Sequence, residues 1–402
     1  MAAKKNITDN SYPCNKSVVM GCTHPYWSSL QVGSQHLARQ FARNGWQVYY
    51  FSAPVSLLHL PQLLRFEVLK RLKKSFEYSS IHENGMIHSH VPFSLIAPDG
   101  RHFLRSPIVT HNWHKLMIPG LKRFLKKTQH GKFSLLYIDN LSYQFFLEQL
   151  VCEKSVFRVM DMHERFSGWN GEALKLAKSI ANKADLTVYS AEGLSNYVDR
   201  LGVNKAMFLP NGVDFDFFQL QEFSGQKHPL LLHIPDPIIL YTGMIDSRLD
   251  YRLIRSAAAR LPCVSFVFTG VLENPAHLRN MPANIFYTGP VSHKELPWLM
   301  KSAKSGIIPF DVENKMDSIK GIRPLKLLEY FAAGIPVVCA RWPELEKMNS
   351  PAWLYADETE FVELVKKLTC SDPYNALKEL NFAAENDWAK IFKKLLQTTQ
   401  EL

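Results

Sequence analysis

The segment Gly321-Ile-Arg-Pro-Leu-Lys-Leu-Leu-Glu-Tyr-Phe-Ala-Ala-Gly-Ile-Pro-Val-Val338 constrains this chain more than any other. It reads as a helix followed by a buried strand. Pro324 stands where a helix tolerates proline, in its first turn. Gly334 stands where a helix stops, in a left-handed cap. Pro336, Val337 and Val338 then open an apolar, β-branched run. Arg323, Lys326 and Glu329 are spaced by three, so they share one face of the expected helix. A helix N-terminus is a seat for phosphate, and Lys326 adds a full charge there. Glu329, one turn on, can accept two hydroxyl hydrogen bonds. A diphosphate at the helix start and a diol one turn on outline a sugar nucleotide. An ordinary core helix with two solvated charges fits the same pattern.

A chain of 402 residues is long for one core and suits two domains of about 150–200 residues each. Hydrophobic residues make up 46% and charged residues 21%, which excludes a disordered or coiled-coil class. The six cysteines are scattered with no C-x-x-C pair, which suggests reduced structural thiols and a cytoplasmic protein. Met1 to Lys16 is a polar, loose tail without the apolar centre of a signal peptide. No apolar run reaches about 18 residues, so no transmembrane helix is expected.

The positive charge is uneven. Residues 1–130 hold 17 Lys and Arg against 5 Asp and Glu, whereas 131–402 is close to balance. Such asymmetry suggests an anionic partner surface. Within 57–78 the spacing puts Leu64, Val68, Leu69, Leu72 and Phe76 on one helical face, with Arg65, Lys70, Arg71, Lys73 and Lys74 largely elsewhere. Gly120-Leu-Lys-Arg-Phe-Leu-Lys-Lys127 has the same character. Lys70, Lys73, Lys74, Lys126 and Lys127 are therefore the candidate membrane or acceptor surface. A plain surface helix packed on its own domain is the alternative. Nucleic acid is not expected as a partner, because no recognised nucleic-acid module appears.

Short apolar strands alternate with helical stretches. A strand at 18–21, a helix over 30–43 closed by Asn44-Gly45, and a strand at 47–51 give the β-turn-α-β opening of a doubly wound parallel sheet. Further strands are predicted at 135–139, 156–160, 186–189, 206–209, 238–242, 265–270, 285–289 and 306–310. The pattern is two successive α/β sheets.

Pro210-Asn211-Gly212-Val213-Asp214 follows the last strand of the first sheet, and Asn-Gly favours a turn with positive φ. Tyr241-Thr-Gly243-Met-Ile-Asp-Ser-Arg248-Leu-Asp250 is a strand, a glycine and a loop into a helix. Gly243 lets a backbone approach a phosphate closely, and Arg248 is a candidate clamp for it or a solvated loop charge. A base pocket is expected beside Val291, past the strand at 285–289. Val156-Phe-Arg-Val-Met-Asp161-Met-His163 sets a carboxylate and an imidazole just past a strand. Asp161 is the candidate catalytic base and His163 its alternative, against a plain helix-capping role for Asp161. Asp214-Phe-Asp216 has D-x-D spacing but lies in the turn segment, and the histidines make no zinc set, so neither a metal nor another cofactor is expected.

The segments 206–218, 238–250 and 320–340 resemble GT-B glycosyltransferases of the family 4 type and its relatives, and the likeness extends diffusely over most of 17–400. The resemblance implies a GT-B fold: two Rossmann-like, doubly wound α/β domains with a cleft between them. It implies Lys326 on the donor diphosphate and Glu329 on the ribose, with Gly243, Arg248, Val291 and Arg323 around them. It makes Asn211 and Gly212 a hinge. The implied division is a tail at 1–16, an acceptor domain at 17–212, a nucleotide-sugar domain at 213–384, and a helix at 385–402 that packs back on the first domain. The loop at Asp161 and Leu325-Lys-Leu-Leu-Glu-Tyr330 are also similar to the bacterial glucuronosyltransferase of xanthan assembly, whose proposed base is matched by Asp161.

Two departures stand out. The first of the family's two glutamates falls on Gly321, and its first-domain histidine is replaced by Asp161 or His163. Both favour an inverting, base-assisted displacement. The implied activity moves a hexosyl or glucuronosyl group from a nucleotide-diphosphate sugar, UDP- rather than GDP-linked, to a glycan or lipid-linked acceptor. The setting implied is cell-surface polysaccharide assembly at the inner face of the plasma membrane. A retaining GDP-sugar enzyme and a non-catalytic sugar-nucleotide or glycan-binding protein stay open as alternatives.

Overall fold

The computed structural model describes residues 16–28, 31–58, 66–77, 79–99, 101–128, 131–163, 170–219, 225–370 and 374–402, without the side chains of Phe66, Glu67, His102, Lys127, Thr128 and Asn170. The tail at 1–15, Leu64, Arg65 and the Lys127 side chain lie outside the described residues.

Among the described residues, eleven strands precede the first chain crossing: β1 (Ser17–Gly21), β2 (Gln47–Phe51), β3 (Val55–Ser56), β4 (Ser80–His82), β5 (Ile87–His90), β6 (Phe93–Ser94), β7 (Met117–Ile118), β8 (Phe133–Ile138), β9 (Cys152–Val159), β10 (Leu186–Tyr189) and β11 (Ala206–Phe208). Six follow it: β12 (Ile238–Thr242), β13 (Ser265–Thr269), β14 (Ile285–Gly289), β15 (Ser305–Ile308), β16 (Val337–Ala340) and β17 (Trp353–Tyr355). The first large sheet runs β11-β10-β9-β8-β1-β2-β5-β4, parallel except for β4 against β5. The second runs β14-β13-β12-β15-β16-β17 and is parallel throughout. Strands of such sheets are covered on both faces and so must be apolar along their length. Val18, Val19 and Met20 in β1 and Ile238 to Tyr241 in β12 are all fully buried. In each sheet the strand order reverses beside one strand, β1 or β12, and the crevice past the carboxyl end of that strand is where a ligand fits.

The small sheet β3-β6-β7 and the edge strands β4 and β17 have no counterpart in the sequence reading. Each is two or three residues long, too short to show a period. The first helix starts at Gly33 rather than at residue 30.

The chain crosses between the two halves at 209–214 and returns at 386–388. The Val213 N–H donates to the Asn386 carbonyl at 3.0 Å, and the Trp388 N–H donates to the Val213 carbonyl at 3.0 Å. Arg43 on the first helix (Gly33–Arg43) pairs with Asp214 at 3.0 Å. Neither Asn211 nor Gly212 takes the positive φ that the dipeptide suggests. Gly212 serves instead by its small size: a Cβ there would lie 2.6 Å from Ile391 Cδ1 and 2.7 Å from the Asn386 carbonyl oxygen. The last helix (Trp388–Gln400) buries Trp388, Phe392 and Leu395 in one cluster with Val18, Leu37 and Phe41 of the first domain. Phe392 meets Phe41 edge-to-face at 4.8 Å.

Candidate active site

At the switch point of the second sheet a strand end and a helix start come together. Gly243 follows β12 with φ of 124°. The helix Leu325–Ala332 begins after Pro324, its N-cap residue, and stops at Gly334, whose φ of 77° is the left-handed cap that the sequence predicts. Lys326, in the first turn, folds over Gly243, so a Cβ on that glycine would sit 2.9 Å from Nζ. Nζ donates to the Tyr241 hydroxyl at 2.6 Å and lies 3.9 Å from the centre of that ring. The Tyr241 hydroxyl in turn donates to the Met244 carbonyl at 2.7 Å. Burial pulls the Lys326 ammonium down to about 7, with the Arg248 guanidinium adding to the effect. Burial pushes the Glu329 carboxyl up to about 7, against the pull of Lys326. Arg248 forks onto Asp246, with Nε at 3.0 and 3.1 Å from the two carboxylate oxygens. Its guanidinium and Lys326 lie 5.7 and 5.6 Å from the centre of the Phe310 ring.

The first domain contributes a cavity of about 350 Å³ at the carboxyl ends of β1, β8 and β9, with Thr23, His24, Asp139, Asp161 and His163 in its wall. Asp161 is exposed. Burial works against the charge of the Arg248 guanidinium, the Asp246 carboxylate holds it, and the Asp161 charge adds a smaller part from the first domain. His163 is buried, with Nδ1 3.1 Å from the Tyr197 hydroxyl, and burial pulls its imidazole down to about 4. It is therefore neutral at neutral pH and a weaker proton acceptor than a free histidine.

Asp139, at the end of β8, is a cavity residue that the sequence reading missed. It accepts from the Thr23 N–H at 3.0 Å, from the Thr23 hydroxyl at 3.3 Å and from the Ser34 hydroxyl. Burial pushes its carboxyl up, with the Ser34 hydrogen bond opposing. The signal in the sequence is one acid closing an apolar strand run, Leu135 to Asp139.

The segment 248–392 matches the family model described as glycosyl transferase-like. Over 235 residues the chain is 28% identical to TuaH of Bacillus subtilis (strain 168), which carries the provisional name of a teichuronic acid biosynthesis glycosyltransferase; the match covers 55% of this chain and 58% of TuaH. The solved sucrose-phosphate synthase of Thermosynechococcus elongatus superposes with a TM-score of 0.68 at 14% identity, over 96% of this chain and 98% of that one. Anabaena Alr3699/HepE, solved in complex with UDP and glucose, superposes with a TM-score of 0.62 at 13% identity, over 96% of this chain and all 100% of that one. The fold is GT-B.

Within this GT-B frame Gly243, Arg248, Lys326 and Glu329 gather on the second domain, and half-buried Val291 packs against the core of that domain. Arg323 departs from the expected shared face. The helix starts only at Leu325, so a spacing of three carries no helical meaning for a residue before Pro324. The Arg323 guanidinium instead lies 3.7 Å from Glu344. Glu344 is fully buried and accepts the Glu192 and Gly193 N–H groups of the first domain at 3.1 and 2.9 Å, which ties the two halves of the GT-B fold together. Asn211 accepts from Arg158 Nη2 at 2.9 Å and donates to the Arg323 carbonyl at 3.3 Å.

The basic helix (Phe66–Phe76) lies far along the chain from these groups. Lys70 stands 4.1 Å above the Trp27 ring, Lys74 pairs with Glu77 at 2.8 Å, and Lys73 and Lys126 are exposed. Leu69 and Phe76 are 49% and 75% exposed, so part of the apolar face is left uncovered by its own domain. Phe103, Ile108, Leu116 and Ile118 are also exposed. Among the described residues no helix is long and apolar enough to cross a membrane, and no three His, Cys, Asp or Glu side chains form a metal-binding group.

Proposed function

We propose that this protein is a glycosyltransferase that moves a sugar from a UDP-linked donor to a glycan or lipid-linked saccharide in cell-surface polysaccharide assembly. The observation that carries the reading is the convergence of Gly243, Arg248, Lys326 and Glu329 at one switch point, opposite Asp161. The glycosyl transferase-like match lies over the same half of the chain, and the provisional name of TuaH and the UDP complex of HepE support the class.

In this reading Lys326 and the N–H groups of the first turn meet the diphosphate, with Arg248 beside them and Arg323 behind the helix start. Glu329 accepts from the ribose hydroxyls, and Val291 borders the base. The Asp161 carboxylate takes the proton of the acceptor hydroxyl while the hydroxyl oxygen bonds to C1 of the donor sugar. The bond from C1 to the diphosphate oxygen breaks, and its electron pair leaves with the diphosphate. Lys326, Arg248 and the helix dipole meet the developing charge, so the reading needs no metal. Attack opposite the leaving group inverts C1. Asn211 and Gly212 act as the hinge between acceptor and donor domains. The exposed Leu69 and Phe76 beside Lys73 support peripheral attachment to the anionic inner face of the plasma membrane, which brings a lipid-linked acceptor to the first-domain cavity.

Asp161→Asn tests the reading. The variant should keep the thermal shift that UDP gives the parent protein and lose at least ~100-fold in transfer. Wild-type product should show the inverted anomer by NMR. Full transfer by the variant moves the base elsewhere, and the absence of a UDP shift in the parent overturns the donor assignment. UDP binding without turnover on any acceptor-lipid extract would make the protein a binder on the same scaffold.

A further inference from the structure

We infer that His293 is a positioning residue for Glu329, and that it completes the ribose subsite through a column of rings anchored in both domains. The inference rests on the donor reading above. His293 opens the short turn His293–Glu295, two residues past Val291. Its Nε2 lies 4.0 Å from Glu329 Oε1. That nitrogen is buried and has no hydrogen-bond partner among the described residues. A buried polar atom aimed at a carboxylate and one short step from it is a contact waiting to be made.

The ring is held in place from several sides. Phe217 stacks on it at 4.8 Å and 16°, and Phe218 meets it edge-on at 6.3 Å. His36 of the first helix approaches its edge at 6.1 Å, and Trp388 stacks on His36 at 5.3 Å and 12°. The column Trp388, His36, His293, Phe217 therefore draws on the last helix, the first helix, the turn past β14 and the segment after the hinge. Its position is fixed by how the two domains sit on one another. An N–H on Nε2 that donates to one Glu329 oxygen stops rotation of the carboxylate and leaves its other lone pairs for the ribose hydroxyls.

The charged surroundings set the protonation states. Lys326 faces Glu329 from its own helix, while Arg39 and His36 face His293 from the first helix and Asp214 faces it from the hinge. Burial, aided by Arg39, pulls the His293 imidazole down to about 4, so at neutral pH it carries one N–H and no charge. Burial pushes Glu329 up to about 7, so it must be ionised to accept two hydroxyls. Relative to pyrophosphate, UDP is expected to bind more weakly as the pH falls below about 7, because a protonated Glu329 carboxyl loses acceptor capacity for the ribose while the gain of charge on Lys326 over the same range favours the diphosphate of both ligands.

The test compares the affinity of the full chain for UDP and for inorganic pyrophosphate, which has no ribose, by titration calorimetry. His293→Ala should weaken UDP by roughly 10-fold and leave pyrophosphate unchanged, and His293→Gln, which keeps an N–H donor, should recover most of the loss. The fall of UDP affinity relative to pyrophosphate toward acid should flatten in Glu329→Gln. Parental UDP affinity in His293→Ala overturns the inference and leaves the donor reading standing. Equal loss of both ligands, without rescue by Gln, makes His293 a fold residue only and also overturns it. Failure of the parent protein to bind either ligand overturns the donor reading and the inference with it.

Discussion

Lys326 is an amine taken out of water before any ligand arrives, and burial leaves it only part-charged near neutral pH. Its ammonium rests on the Tyr241 ring and hydroxyl, and among the described residues no carboxylate reaches ion-pair distance of it. A desolvated charge without a partner costs stability, and the same charge beside a diphosphate repays it as binding. Lys326→Ala should therefore separate two quantities that usually move together. UDP affinity should fall by ~1.5–3 kcal/mol, the scale of a charge-assisted hydrogen bond. Thermal stability without ligand should stay level or rise. Calorimetry with UDP and a melting curve of the free variant measure the two, and a large fall in stability with unchanged UDP affinity would make Lys326 a fold residue. Gly243 belongs to the same argument, because the space a Cβ would take is the space Lys326 occupies.

Elements differ in how much of themselves they show in sequence. The helix Leu325–Ala332 and its strand were legible because Pro324 and Gly334 punctuate them and the apolar run that follows is unbroken. Asp139, Glu344 and His293 were not legible as site residues. Each acts through partners more than thirty residues away: Asp139 on Thr23 and Ser34, Glu344 on Glu192 and Gly193, His293 on Glu329 and His36. No local period encodes such meetings. Arg323 leaves the expected shared face for a local reason, since the helix starts only at Leu325, after Pro324. The basic helix (Phe66–Phe76) is the element whose partner is a matter of experiment. Its exposed Leu69 and Phe76 offer apolar insertion, and Lys73 adds attraction to anionic lipid at ~1 kcal/mol per charge near the surface. The protein should sediment with anionic vesicles at low salt and release at high salt. Replacing Lys70, Lys73, Lys74, Lys126 and Lys127 by Glu should abolish sedimentation and spare UDP binding. Sedimentation indifferent to salt and to those replacements would remove the electrostatic part of the idea, and none at all would make this an ordinary surface helix.

At the scale of the whole molecule, the contacts between the two domains among the described residues include the paired crossings of the chain, the Glu344 contacts to Glu192 and Gly193, and the ring column through His36 and His293. Gly212→Ala probes the first. A Cβ 2.7 Å from the Asn386 carbonyl oxygen must push the crossings apart, and overpacking of this kind costs ~1–3 kcal/mol. The melting temperature should drop, and transfer should suffer more than UDP binding, because in the proposed reading Lys326 and Glu329 lie within one domain and the base Asp161 in the other. Equal loss of both would show that the strain spreads into the second domain. The pairing of the crossings has a mechanical meaning of its own. A single connecting strand would act as a ball joint. Two strands hydrogen-bonded side by side, at Val213 and at Asn386 to Trp388, pin the bodies along a line instead. If Asn211 and Gly212 act as the proposed hinge, a junction pinned along a line leaves one rotational degree of freedom, and the Glu344 and His36–His293 contacts must open before the halves can swing as a door does.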